Sequence, residues 1–66
     1  MKTQAQIQAE TLIYFAEKTL SASPSELRVL DKRIDRHFNA GTLSAKGFSS
    51  LSVLIMEEIA RFDSLT

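Results

Sequence analysis

One imidazole, His37, and two carboxylates a helical turn apart, Asp31 and Asp35, are the groups in this 66-residue chain best suited to chemistry. A histidine serves as a general base when a nucleophile or an orienting carboxylate stands within hydrogen-bond reach, and paired carboxylates can hold a hard cation. Neither arrangement is assembled in the sequence. His37 lies between Arg36 and Phe38 on the flank of an apolar stripe, with no serine or carboxylate at triad or metal-ligand spacing, and reads as a semi-exposed structural side chain. Asp31 and Asp35 alternate with Arg28, Lys32 and Arg36, the pattern of a solvated face laced by local ion pairs. Glu57-Glu58 reads as surface. Gly41 and Gly47 are the only glycines, which excludes a glycine-rich phosphate loop, and the lack of cysteine excludes disulfides and a Cys/His zinc site. The expectation is a non-enzymatic protein with no catalytic residue, cofactor or metal.

The same cations raise nucleic-acid binding as the alternative function. Arg28, Lys32 and Arg36 recur every four residues, Arg33 and His37 widen the strip, and such a row can meet phosphates. Three features oppose it. Asp31 and Asp35 interrupt the strip; the following segment, which would be the recognition helix, offers only Lys46 among Ser49, Ser50, Val53 and Glu57; and eight basic residues balance eight acidic ones. A formal charge of zero provides no field toward DNA, RNA or an anionic membrane.

The elements that must position these residues are marked by their punctuation. Thr3-Gln4-Ala5-Gln6 fits a capping box, in which a threonine hydroxyl and a glutamine side chain satisfy each other's backbone N–H groups. Ser23 as N-cap, Pro24 at the first helical position and Glu26 at the third start a second helix, with Ala22 and Leu27 as a weak staple. Asn39-Ala40-Gly41 stops it, since glycine takes the left-handed residue after a helix end without steric cost. Ser44 restarts the pattern as N-cap, with Leu43 and Phe48 as a staple.

Helices are therefore expected over about 4–21, 24–39 and 45–62. At about 100° per residue, Ala5, Ala9, Leu12, Ile13, Ala16 and Leu20 share the expected core face of the first, with Phe15 on its flank. Leu27, Leu30, Ile34 and Phe38 line the second; Phe48, Leu51, Ile55, Ile59 and Phe62 line the third. The run Leu51 to Met56 is apolar almost all round, which makes the third helix the central one. Its β-friendly Val53-Leu54-Ile55 lacks strand alternation and continues into helix formers, so a strand is rejected. The fold class is all-α: one domain over 1–66, a small three-helix bundle that a second copy could complete. A chain this short buries a thin core, which makes self-association a natural source of stability.

From Leu30 through Leu51, Asn39-Ala40-Gly41-Thr42-Leu43-Ser44 followed by Phe48 resembles the helix, Ala-Gly, apolar residue, Ser/Thr, helix pattern of SHOCT-type short helical hairpins. Ala45-Lys46-Gly47 departs from the acidic residues usual there. The resemblance implies an oligomerising or binding module. In size and composition the chain is also similar to small, cysteine-free helical accessory proteins of phage and mobile elements, and that similarity implies a regulator or inhibitor of host machinery.

Apolar residues outside the main stripes supply the functional expectation. Ile7 and Tyr14, two turns apart on a polar face of helix one, Val29 among the cations of helix two, and Leu54 or the Val53/Met56/Ala60 flank of helix three have no place in a closed bundle. Ile7, Tyr14, Arg28, Val29, Lys32, Arg36 and Leu54 are the candidate partner-binding residues. The expected partner is a protein, including a second copy of the chain, with steric occupation of its surface as the mechanism. No apolar run of signal-peptide or membrane-spanning length occurs, so the chain is expected to be soluble and cytoplasmic.

Overall fold

Three hydroxyl side chains begin three helices. In the computed structural model, which describes residues 1–65, α1 spans Gln4–Leu20, α2 Pro24–Asn39 and α3 Ala45–Ser64. Thr3 Oγ1 accepts from Gln6 N at 3.1 Å while the Gln6 side chain accepts from Thr3 N at 2.8 Å, completing the capping box. Ser23 accepts from Glu26 N, and Ser44 accepts from Gly47 N at 3.0 Å. Each such cap contributes about 1 kcal/mol by satisfying a donor that the helix cannot. The ends of α2 match expectation, and α3 continues two residues past Phe62 because Asp63 and Ser64 extend its last turn.

Gly41 ends α2 at φ +84°, in the left-handed region. Its N–H donates to the Phe38 carbonyl at 3.1 Å and the Thr42 N–H to the His37 carbonyl at 3.0 Å, the two bonds of a Schellman motif. The reversed chain then brings Phe48 onto Phe38, rings stacked with centroids 4.5 Å apart. The amides of Gln4 and Gln8 both donate to the Gly41 carbonyl, at 3.3 and 3.2 Å. The start of α1 therefore lies beside the start of α3, and the bundle runs up, down, up. α3 packs against both other helices, as expected of the central element, in a body 46 × 18 × 17 Å. Among the described residues there is no strand.

The core cluster is Phe15, Ala22, Leu27, Leu30, Ile34, Leu43, Leu51 and Ile55, with Leu12, Ala16, Phe48 and Phe62 at its edge. Ala22 and Leu27, the paired staple positions, are both inside it. Gly47 is buried where α3 passes α1: a Cβ there would stand 3.7 Å from Leu12 and only 3.3 Å from Leu43.

Three expectations are corrected. The core face of α1 is centred on Phe15 and Thr19, turned by roughly 80° from the Ala5–Leu20 stripe. Ile13 and Leu20 remain 58% and 60% exposed. The polar residues on the buried side have local partners: Thr19 Oγ1 donates to the Phe15 carbonyl at 2.7 Å, and Gln8 reaches Gly41. Polarity therefore did not bar that face from the core. Phe38 and Ile59, placed in the stripes of α2 and α3, sit at the solvent edge of theirs. Glu58 is buried rather than on the surface, at 8% exposure, because it falls three residues after Ile55 on the buried face of α3, where its carboxylate pairs with the Arg61 guanidinium at 2.8 Å.

Candidate protein-interaction surface

His37 is committed to the α2–α3 turn. Its ring stands edge-on to Phe15 with centroids 5.1 Å apart, and Nδ1 lies 2.8 Å from Thr42 Oγ1. That hydroxyl donates to the His37 carbonyl at 3.0 Å, so its oxygen is left to accept from Nδ1–H. Among the described residues, no group of three or more His, Asp or Glu side chains is close enough to hold a metal ion.

The expected ion pairs along α2 are not formed. Among the described residues the ion pairs are Lys2–Glu10 at 2.7 Å and Glu58–Arg61 at 2.8 Å, and neither lies on α2. Order along the helix explains this. Acid preceding base by four residues is the favourable arrangement, but Asp31 is followed at that distance by Asp35, and Asp35 by Asn39. Arg28, Lys32, Arg33 and Arg36 consequently present their charges to solvent, and Asp31 and Asp35 gain none of the expected neutralisation.

Packing the helices sorts the candidate residues onto three surfaces. Tyr14 of α1 and Val29 of α2, 48% and 57% exposed, converge on one groove of 280 Å³ between these helices. Leu30 lines it from below, and Lys18, Arg33, Ser21 and Glu26 form its polar rim. Lys18 Nζ lies over the Tyr14 ring, 5.6 Å from the centroid, and the Tyr14 ring meets Phe15 edge to face at 5.2 Å. Ile7 is exposed two turns before Tyr14 on the same side of α1 and extends this face without lining the groove.

Arg28 and Lys32 belong to a different groove, of 530 Å³ between α2 and α3, with Asp31, Ser52, Ile55, Met56 and Ile59. Leu54 is half-buried and lines a shallow hollow of α3 with Ser49, Ser50, Val53 and Glu57. Arg36 lines none of the three. The flank Val53/Met56, rather than Leu54, is what α3 leaves outside.

Sequence reasoning missed Lys18 as a member of the Tyr14 surface, although its spacing of four residues from the ring was a usable signal. It placed Ile59 in the core stripe rather than on a groove wall, and named the Met56 flank only as an alternative to Leu54, since nothing in an all-round apolar helix says which flank stays uncovered. No helix among the described residues is long and apolar enough to cross a membrane. No family model, curated protein or solved structure matches the chain. The hairpin likeness from Leu30 through Leu51 thus rests on the capping chemistry of Gly41 and Ser44 alone.

Proposed function

We propose that this chain is a small, non-enzymatic protein-binding module that acts by covering a working surface of its partner. The observation that carries the reading is the convergence of Tyr14 and Val29, from two helices, on one groove. Each side chain alone is an ordinary exposed apolar residue. Brought together over a buried Leu30 and ringed by charge, they have the make-up of an interface centre: an aromatic anchor, aliphatic walls and a polar rim. Because the face is formed by capped helices rather than loops, little ordering is lost on binding. Its cations raise the encounter rate with an acidic patch more than they raise affinity. Regulation of the partner by occlusion follows from a rigid face that brings no chemistry of its own.

The test is crosslinking capture by the tagged 66-residue chain in lysate of its source cell, comparing wild type with Tyr14→Gln/Val29→Gln. Both positions are exposed, so helical circular dichroism should be unchanged while the captured partner is lost. Capture that is indifferent to both substitutions, or that maps to the α2/α3 groove, would reject this surface.

A further inference from the structure

We infer that the partner presents an acidic segment carrying an apolar anchor residue, which seats in the α1/α2 groove with its carboxylates against Lys18 and Arg33. The inference rests on the protein-binding reading and specifies the chemistry of what is bound.

Cations outnumber acids two to one in this groove even though the whole chain is neutral. Lys18 and Arg33 line the groove, and neither has an ion pair among the described residues. The groove's one acid, Glu26, is occupied at the start of α2, where Oε1 accepts from the Ser23 hydroxyl at 3.0 Å. Beyond Val29 the outward side of α2 continues with Arg36, which has no ion pair among the described residues. Asp31 and Lys32 both line the groove on the other side of the helix. A ligand in the groove therefore meets two cations without ion pairs among the described residues, with Arg36 beyond them, and one carboxylate held toward Ser23. Complementarity selects a ligand bearing carboxylates or other anions.

The walls select a peptide over a nucleic acid. Tyr14, Val29 and Leu30 make the groove a receptor for an aliphatic or aromatic side chain. Base stacking needs an open aromatic face, but one face of Tyr14 is covered by Lys18 and its ring is held against Phe15.

A random-peptide display library selected on the immobilised 66-residue chain tests the inference. Selected sequences should place Asp or Glu around a Leu, Phe or Trp. A synthetic peptide of that sequence should bind about tenfold or more weakly to Val29→Glu and to Arg33→Glu, keep most of its affinity for Arg33→Lys, and weaken as salt rises. Neutral or basic winners that footprint on Tyr14 and Val29 would overturn the acidic inference and leave the protein-binding face standing. Winners unaffected by Val29→Glu and Arg33→Glu would remove both. Displacement of the peptide by a single-stranded oligonucleotide, or self-association abolished by Arg33→Glu, would replace the acidic segment with nucleic acid or with a second copy.

Discussion

The Thr19 hydroxyl, fully buried, donates to the Phe15 carbonyl one turn earlier at 2.7 Å. A polar side chain thereby joins the core without an unmet hydrogen bond, and α1 can turn Phe15 inward while Ile13 and Leu20 stay outside.

Phe15→Ala should cost about 3–5 kcal/mol, the usual penalty for an emptied aromatic site. A domain of this size has little more stability than that, so the variant should be largely unfolded at 25 °C. Ile13→Gln and Leu20→Gln should each stay within about 0.5 kcal/mol of wild type. Urea denaturation followed by circular dichroism distinguishes the two faces, and the reverse ranking would return the Ala5–Leu20 stripe to the core.

The two glycines are expected to resist alanine for different reasons. Gly41→Ala forces an L-residue into φ +84° and should cost about 1–2 kcal/mol. Gly47→Ala puts a Cβ 3.2 Å from the capping hydroxyl of Ser44 and 3.3 Å from buried Leu43. Since neither neighbour is free to move, crowding of about 1–3 kcal/mol outweighs the gain of about 1 kcal/mol in helix propensity. A rise in thermal midpoint for Gly47→Ala would refute the close fit.

Arg61→Ala leaves the Glu58 carboxylate buried without its cation, and a loss of about 1 kcal/mol is expected, modest because Arg61 is itself largely exposed. Glu58→Met fills the same space without a charge and should match or exceed wild-type stability. Equal destabilisation by both substitutions would show that the pair itself is net stabilising.

A double-mutant cycle between His37→Ala and Thr42→Val should return a coupling of about 1 kcal/mol, the net worth of the hydrogen bond between their side chains. Additive effects would mean that the histidine contributes only its packing on Phe15.

Duplex DNA should not be retained in a salt-sensitive manner at low ionic strength. The cations of α2 have no ion pair among the described residues, but the start of α3 presents Lys46 alone beside serines. Binding that weakens with salt and is lost in Arg28→Ala/Lys32→Ala/Arg36→Ala would establish the nucleic-acid alternative.

Helix starts and stops were legible because they are local chemistry. Thr3, Ser23 and Ser44 each cap a donor three residues away, and Gly41 answers a steric demand of its own backbone. Tyr14 and Val29 could be singled out as residues misplaced on polar faces, since that judgement needs only helical periodicity. Their meeting in one groove could not be read from the chain, because it depends on the rotation of α1 against α2.

By itself, then, the sequence determined three helices, their boundaries to within two residues, the tight α2–α3 hairpin and the absence of cysteine chemistry. Tertiary structure alone decided which face of α1 is core, that Glu58 goes inside, and which exposed residues become neighbours. The physical reason is one of range. Caps and turns are settled within about one helical turn, whereas the apolar residues of α1 wrap almost fully around it and offer two competing stripes. Only the fit of Phe15 and Thr19 against the other helices, with Gln4 and Gln8 fastened to Gly41, chooses between them.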